Sequence, residues 1–317
     1  MKVVLTNPTM RLDPKVGGEL LDLADVVNAP DSTPEGILSV AHDADALIVG
    51  VENVRAPLIQ QLERARVIHR MGIGVDFIDI DAATSSGIQV TNVPDANHRE
   101  VATHAVAMIL ALTRLLKPWD AGVRAGTPVD FRRGMTLHRP DQQRAGILGL
   151  GRIGAHVARV LRASGYDVVG YDPFVDAAAA EERGVRWLPI DEVIATSDVL
   201  SVHVPLTHEN RHLIDAAAIA TMPTGAVLVN VSRGGLVDEE ALADALASGH
   251  LSGAGIDTFE TEPLPVTSRL TTFDNVFLSP HAAHFSSESI GEIYAKSMDE
   301  VVRVLRGEQP RYPVNHL

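Results

Sequence analysis

Short, almost continuously apolar runs recur along this chain and constrain its fold more than any other feature. Runs of this kind are typical of strands covered on both faces, which occur mainly where parallel strands are connected by helices. Ala- and Leu-rich segments of helical period, such as 153–165 and 238–250, lie between the runs. The runs are KVVLT (2–6), ADVVN (24–28), ALIVG (46–50), RVIHRMG (66–72), IQVTNV (88–93), AGILGLG (145–151), YDVVGYD (166–172), DVLSVHV (198–204), AVLVNV (226–231), GAGID (253–257) and VFLSP (276–280). The pattern predicts two α/β domains, each built on a parallel sheet.

A helical apolar segment, 97–117, separates the two series of runs, and a second long helical segment, 287–308, follows the last run. The chain has 317 residues, a comfortable length for two domains. We therefore expect residues 1–97 plus 287–317 to form one domain and residues 98–286 to form the other. Segment 118–143 shows no clear period and is predicted to be an irregular arm.

Composition excludes several classes of function. The net charge is −14 and no basic run occurs, which argues against a nucleic-acid-binding surface. The absence of cysteine excludes disulfides, thiolate zinc sites and a cysteine nucleophile. The N-terminus does not resemble a signal peptide, and no apolar stretch is long enough to span a membrane. These features predict a cytoplasmic protein that binds neither membranes nor nucleic acid.

The sequence Gly149-Leu150-Gly151-Arg152-Ile153-Gly154 has the form G-x-G-x-x-G, directly after an apolar run and before an amphipathic helical segment. In this context the glycines allow a tight turn and close approach of the backbone to a pyrophosphate, while the helix N-terminus attracts the phosphates. Asp172 ends the next predicted strand, where a carboxylate can accept hydrogen bonds from the adenosine ribose and repel a 2′-phosphate. No arginine follows it closely. The pattern predicts a dinucleotide site that prefers NAD to NADP.

Four motifs, GILGLGRIG, LVNVSRGGLVDEEAL, GIDTFETEP and SPHAAH, resemble in order and spacing those of the NAD-dependent D-2-hydroxyacid dehydrogenase family. The similarity extends to GIGVDFIDIDAATSSGIQVTNVP (72–94), so it covers nearly the whole chain. SPHAAHFSS and the tail YPVNH resemble most the branch of C-terminal-binding-protein corepressors and their bacterial dehydrogenase relatives. The resemblance implies a flavodoxin-like substrate domain and a Rossmann NAD-binding domain joined by two crossing helices. It also implies a homodimer, to which segment 118–143 would contribute a contact.

Three residues match the catalytic set of that family. Arg233 follows a predicted strand, and its guanidinium could hold a substrate carboxylate through two hydrogen bonds. His281 follows the last predicted strand and is expected to be the general acid/base, since imidazole titrates near working pH. Glu262, immediately before a proline in FETEP, is the expected partner of His281, whereas Glu260 is expected to be solvated.

The family resemblance implies further contacts. In the first domain, the backbone N–H groups of the turn Met71-Gly72-Ile73-Gly74-Val75 would bind the substrate carboxylate, as glycine turns with exposed donors do. Asp257 would contact the nicotinamide carboxamide. His104 would either pack in the core or support the site residues without touching the ligand. The other expected cofactor contacts, besides Arg233 and His281, are His203, Pro205, Thr207, Val231 and Ser232.

Two positions depart from the family pattern. Thr103 stands where family members usually carry an acidic residue, which could alter contacts at the start of the helical segment. His284 stands where the corepressor-like branch carries an aromatic residue, often Trp, and we expect it to form a polar wall beside the substrate. A metal site at His281 and His284 is not expected, because neither cysteine nor a suitably spaced carboxylate is available.

Two other functions compete with reduction of a 2-oxo acid. One is a non-catalytic, NAD-dependent interaction protein like the corepressors, which share the same motifs. The other is a formate dehydrogenase of the same superfamily, in which a glutamine partners the histidine; Glu262 argues against it. Sequence therefore favours an oxidoreductase that interconverts a 2-oxo acid and a D-2-hydroxy acid with NAD(H).

Overall fold

A computed structural model describes residues 1–12, 14–127 and 137–317. Two compact units emerge from its internal contacts: residues 1–97 with 286–317 form unit 1, and residues 98–285 form unit 2. The chain thus passes from unit 1 to unit 2 after Asn97 and returns after Phe285.

Unit 1 is built on a five-stranded parallel sheet with the order β2-β1-β3-β4-β5. This order is that of flavodoxin-like folds. The strands are β1 (Lys2–Leu5), β2 (Asp25–Asn28), β3 (Ala46–Val49), β4 (Val67–Arg70) and β5 (Gln89–Thr91). The helices are α1 (Pro14–Leu23), α2 (Pro34–Ala41), α3 (Ala56–Ile59), α4 (Ile80–Ser85) and, after the return from unit 2, α12 (Ser287–Leu305).

Both faces of the unit 1 sheet are covered by apolar side chains. One face, with Ile68 and Val90, packs against residues of α2, α3 and α4 such as Ile37 and Ile59. The other face, with Val67, packs against α1 and α12. Burial on both faces explains why the sequence runs are apolar throughout and not alternating.

Unit 2 contains a seven-stranded parallel sheet with the order β12-β11-β10-β9-β6-β7-β8. Counted from β6, this is the doubly wound dinucleotide-binding order with one added strand. The strands are β6 (Arg144–Leu148), β7 (Asp167–Tyr171), β8 (Arg186–Trp187), β9 (Val199–Val202), β10 (Ala226–Asn230), β11 (Leu251–Ile256) and β12 (Val276–Leu278). The helices are α5 (His98–Thr113), α6 (Leu116–Arg124), α7 (Arg152–Ala163), α8 (Ala177–Glu182), α9 (Ile190–Thr196), α10 (Ala216–Thr221) and α11 (Glu239–Ser248). Both predicted parallel-sheet α/β domains are therefore confirmed.

The predicted helix over 97–117 is confirmed except for a break at residues 114–115. Helix α5 ends at Thr113, Leu115 adopts a left-handed backbone conformation with φ 53°, and α6 starts at Leu116. Pro118 provides the reason, because a continuous helix would need an N–H at that position; in the first turn of α6 that N–H is not required.

The prediction of an irregular arm over 118–143 is also wrong at its start, which is helical as far as Arg124. Residues 140–142 form a short 3-10 helix, and the part from 128 to 136 lies outside the described residues. Across the residues that the structure describes, no single helix is long and apolar enough to cross a membrane. Only α5 and α6 together meet that length and composition, and the chain bends by 61° between them.

Candidate active site

His281 and Glu262 lie together in unit 2, at the carboxyl ends of its last two strands. Nδ1 of His281 is 2.9 Å from Oε2 of Glu262. The second oxygen, Oε1, accepts a hydrogen bond of 3.0 Å from the N–H of Phe259. Burial raises the pKa of Glu262, but these hydrogen bonds and the charges of His281 and Arg233 outweigh it, so the net pKa lies below its ordinary value. The carboxylate is therefore ionised at neutral pH and can orient the imidazole.

The loop that carries His281 is fixed by Asp257, at the end of β11. The side chain of Asp257 is buried, with 1% of its surface exposed. Its oxygens accept hydrogen bonds from Ser279 Oγ and from the N–H groups of Ala282 and Ala283, at 2.5, 2.9 and 3.0 Å. Its carbonyl accepts the N–H of His281 at 2.7 Å. His281 has φ 53°, a conformation rare for a non-glycine residue, and these bonds hold it there.

His104, on α5, supports the same loop. Its Nε2 lies 2.9 Å from Ser279 Oγ and 3.9 Å from Asp257 Oδ1. Thr103 beside it is exposed, and its hydroxyl donates back to carbonyls of its own helix at Arg99 and Glu100.

Arg233 is placed by the end of β10. Asn230 Nδ2 donates to the Arg233 carbonyl at 2.8 Å, and Asn230 Oδ1 accepts the Ser232 N–H at 3.0 Å. A Cβ on Gly234 would lie 1.9 Å from the carbonyl carbon of Phe259, so only glycine lets this turn pack against the loop of Glu262. The packing brings the Arg233 charge close enough to lower the pKa of Glu262.

His284 follows three residues after His281. The two rings pack edge to face, with centroids 6.3 Å apart and planes at 83°. His284 is half-buried, so an imidazole forms part of the surface next to the acid/base candidate. No group of three or more candidate metal ligands occurs within the described ranges 1–12, 14–127 and 137–317.

Glu260 is exposed, as predicted, but charged neighbours hold its side chain. Its carboxylate forms an ion pair with Arg211 and lies 3.0 Å from Nε2 of His212, and its backbone N–H donates to Oε1 of Glu239 at 2.7 Å. No sequence pattern indicated this cluster, because Arg211, His212 and Glu239 belong to segments far from Glu260 along the chain.

The glycine turn after β6 has the geometry expected of a dinucleotide site. Gly149 has φ +92°, and a Cβ there would lie 2.7 Å from the backbone of His203. A Cβ on Gly154 would lie 1.9 Å from the Gly149 carbonyl oxygen, whereas one on Gly151 would meet no atom within 4 Å. Gly149 and Gly154 are thus required by the packing of the turn, whereas Gly151 leaves open space at the N-terminus of α7.

Asp172 lies against that turn. Its Oδ2 accepts the N–H of Leu150 at 2.8 Å, and its Oδ1 accepts the N–H of Phe174 at 2.9 Å. The structure therefore brings the carboxylate at the end of β7 next to the glycine turn at the end of β6.

A second group near the turn is His203, after β9. Its Nε2 lies 2.8 Å from Ser201 Oγ, while Nδ1 is buried and has no hydrogen-bond partner within the described part of the chain. Burial lowers the pKa of His203 to about 3, so the ring is neutral. An unpaired buried nitrogen beside a glycine turn suits a bound polar ligand, and these residues fit a dinucleotide.

The remaining cofactor candidates lie along the carboxyl edge of the same sheet. Asn210 ties the turn after β9, accepting from the Thr207 N–H at 2.7 Å and donating to the Pro205 carbonyl at 2.8 Å. Ser232 donates to the Val202 carbonyl at 3.0 Å, and Val231 is buried. Arg152 and Ile153 begin α7.

In unit 1, the backbone carbonyls of residues 71–74, in the turn after β4, all accept hydrogen bonds. Those of Met71 and Gly74 accept from the Arg70 guanidinium, that of Gly72 accepts from the Val93 N–H, and that of Ile73 accepts from Asn92 Nδ2. In a planar trans peptide the C=O and the following N–H point in opposite directions. The N–H groups of Ile73 and Gly74 therefore point away from Val93 and Asn92, as an anion-binding turn requires.

Comparisons with known proteins agree with this geometry. Residues 106–283 match the family model described as D-isomer specific 2-hydroxyacid dehydrogenase, NAD binding domain. The chain is 36% identical to D-3-phosphoglycerate dehydrogenase of Methanocaldococcus jannaschii over 99% of its own length but only 59% of that protein. The corresponding protein of Mycobacterium tuberculosis is 37% identical over 94% of this chain and 56% of its own length. The chain thus spans little more than half of these relatives.

Among solved structures, D-lactate dehydrogenase from Aquifex aeolicus, complexed with NAD and lactic acid, superposes with a TM-score of 0.87 at 29% identity, covering 97% of this chain and 96% of that one. The TT0316 protein from Thermus thermophilus superposes with a TM-score of 0.86 at 30% identity, covering 99% and 100%. The matched family model is an NAD-binding domain, so the predicted cofactor, NAD, is confirmed. The chain belongs to the D-isomer specific 2-hydroxyacid dehydrogenase family, and its unit 2 contains the NAD-binding domain of that family.

Proposed function

We propose that this protein interconverts a 2-oxo acid and a D-2-hydroxy acid by hydride transfer with NAD(H). The observation that carries the proposal is the 2.9 Å contact between His281 Nδ1 and Glu262 Oε2, within the unit that contains the NAD-binding domain. A dehydrogenase needs such a pair, whereas mere binding of a dinucleotide does not.

His281 exchanges the hydroxyl proton. Because the ionised Glu262 accepts a hydrogen bond from Nδ1, the proton that moves is carried on Nε2. In reduction, Nε2 donates to the oxygen on C2 as negative charge develops there; in oxidation, it accepts the same proton. Glu262 stabilises the imidazolium and sets the orientation of the ring.

Arg233 and the turn 72–74 of unit 1 bind the substrate carboxylate. The guanidinium offers two parallel donors, and Ile73 and Gly74 offer N–H groups. NAD(H), when bound, supplies or accepts the hydride. The pyrophosphate is held by Gly149, Gly151, Arg152, Ile153 and Gly154, and the adenosine ribose by Asp172.

The nicotinamide end is bounded by residues after β9 and β10. We assign His203, Pro205, Thr207, Val231 and Ser232 to this end, and His284 to the substrate wall. Asp257 acts on the nicotinamide end indirectly, since its carboxylate already accepts hydrogen bonds from the loop that carries His281.

The experiment that tests this function measures consumption of NADH and NADPH with a panel of 2-oxo acids, including those derived from lactate and 3-phosphoglycerate. We expect turnover with at least one acid, a preference for NADH, and a product of D configuration. Binding of NADH without turnover on any acid would favour a non-catalytic, corepressor-like role.

We also infer a homodimer in the cytoplasm whose partners are small 2-oxo and 2-hydroxy acids, with neither nucleic acid nor membrane among them. The family resemblance and the net charge of −14 support this inference. Light scattering of the purified protein measures the oligomeric state.

A further inference from the structure

A cluster of charged residues lies behind Glu262 and is not needed to explain either substrate or cofactor binding. It joins the first turn of α11, the loop after β11 and the segment before Ile214. Its members are Arg211, His212, Asp238, Glu239 and Glu260. Three of them contact Glu260: Glu239 accepts its backbone N–H, and Arg211 and His212 pair with its carboxylate. The N–H belongs to the peptide between Phe259 and Glu260.

That peptide is held on two sides. On one side, Gly234 leaves no space for a Cβ, which would come within 1.9 Å of Phe259 C and 2.3 Å of Glu260 N. On the other side, the Glu260 N–H donates to Oε1 of Glu239 at 2.7 Å. The side chain of Glu260 is fixed in addition by Arg211 and by His212 Nε2 at 3.0 Å.

The next N–H along the chain toward the N-terminus belongs to Phe259, and it donates to Glu262 Oε1 at 3.0 Å. A displacement of the Glu260 N–H would therefore move the donor that orients Glu262, and with it the partner of His281. Small misplacements of catalytic groups are costly to rate because the reacting geometry is narrow.

Glu239 is well suited to hold this peptide. Asp238 caps α11 by accepting the N–H groups of Glu240 and Ala241, which fixes Glu239 in the first helical turn. Burial and the neighbouring carboxylates of Glu260, Glu240 and Glu262 raise the pKa of Glu239 despite its hydrogen bond to the Glu260 N–H. A half-buried carboxyl kept among like charges, at a cost in stability, is a common mark of a functional position.

We propose that Glu239 is a positioning residue for Glu262, which it orients by holding the Glu260 N–H and thereby the Phe259 N–H. This inference rests on the proposed function, because it assigns Glu239 to the support of the same His281–Glu262 pair. Glu239 touches neither reacting atoms nor cofactor in this arrangement.

The test compares E239A, E239Q and the matched control E240A in the full-length protein. E239A removes the acceptor, whereas E239Q keeps an oxygen in the same place. E240A removes the adjacent acid, which is exposed and pairs with Arg269 at 3.0 Å, whereas the Glu260 N–H donates to Glu239. For each variant, kcat and KM are measured on the best 2-oxo acid, and NADH affinity is measured by fluorescence titration.

We expect E239A to lower kcat by about 10- to 100-fold with the affinity for NADH unchanged. E239Q should recover most of the lost rate, and E240A should behave as wild type. A wild-type kcat in E239A, or equal losses in E239A and E239Q, would overturn the proposal.

Amide hydrogen exchange of residues 257–263 supplies a readout that does not depend on turnover. We expect faster exchange at the Glu260 amide in E239A and wild-type exchange in E239Q and E240A. If exchange at Glu260 stays at the wild-type rate in E239A, the positioning role is contradicted. If exchange changes as expected but the wild-type protein reduces no 2-oxo acid, the proposed function has failed and not the contact.

Discussion

Nδ1 of His281 and Oε2 of Glu262 lie 2.9 Å apart, although the two residues come from loops after different strands. Replacing Glu262 by Gln keeps the size of the side chain but removes its charge. We expect kcat to fall by at least about 10-fold, because the imidazolium loses its stabilising neighbour.

The kcat of E262Q on the best 2-oxo acid measures this effect. E240Q serves as the comparison, since Glu240 is exposed and pairs with Arg269 at 3.0 Å. An E262Q enzyme with the wild-type rate would contradict the assignment of Glu262.

His284 should determine substrate preference. Its ring packs edge to face on His281, 6.3 Å between centroids, so its size and polarity shape the adjacent space. His284→Ala and His284→Trp are expected to reorder the kcat/KM values of a 2-oxo acid panel while NADH affinity is retained. If both variants rank the acids as the wild type does, His284 lies outside the substrate wall.

Two glycines of one turn should respond differently to alanine. Gly154→Ala places a Cβ 1.9 Å from the Gly149 carbonyl oxygen, so we expect a loss of about 1–3 kcal/mol in the free energy of unfolding. Gly151→Ala meets no atom within 4 Å in the protein and should leave stability nearly unchanged. It should nevertheless weaken NADH binding, because it takes space expected to hold the pyrophosphate.

Thermal melting and NADH titration of the two variants separate these effects. Unchanged NADH affinity in Gly151→Ala would mean that the pyrophosphate lies elsewhere.

His69, in the core of unit 1, should make stability depend on pH. It is fully buried, Nδ1 lies 2.8 Å from Thr91 Oγ1, and burial, followed by the charge of Arg70, lowers its pKa to about 3 from 6.5. Between these values the unfolded chain binds the proton and the folded chain does not. The stabilising effect of the depressed pKa is thus present above pH 6.5 and is lost as pH falls toward 3.

Urea unfolding of wild type and His69→Met across pH 4 to 7 measures this effect, where roughly 1.4 kcal/mol per pH unit is the most that one histidine contributes. The variant should show a shallower fall in stability with decreasing pH, whatever its stability at pH 7. Part of the fall in stability remains in the variant, because the pKa of His203 is also lowered to about 3. Equal slopes in the two proteins would contradict a neutral, buried His69.

Sequence predicted those parts of the fold that depend on local apolar runs. All eleven runs contain strands, because a short apolar run between helical segments is what a parallel strand requires. The two-residue strand Arg186–Trp187 was not predicted, because an edge strand of that length leaves no run to detect. The break at Leu115 was missed as well, because the apolar pattern continues through it and only Pro118 marks it.

The candidate site shows a similar limit. Motif position alone selected Glu262 over Glu260, and the hydrogen bond to His281 agrees with that choice. The hydrogen bonds of Asp257 and Glu239 were not predicted from sequence. They join segments that follow different strands, and no short stretch of sequence encodes such contacts. The assignment of individual residues to cofactor and substrate stays a prediction until binding is measured.

We propose above all that His281 transfers the proton in a reaction whose hydride comes from NADH. The most direct measurement compares kcat of wild type and His281→Ala on the best 2-oxo acid, with NADH affinity measured on both proteins. We predict a loss of roughly 10²–10⁴-fold in kcat with NADH affinity retained. A His281→Ala enzyme that turns over at the wild-type rate would contradict the role of His281 as acid/base.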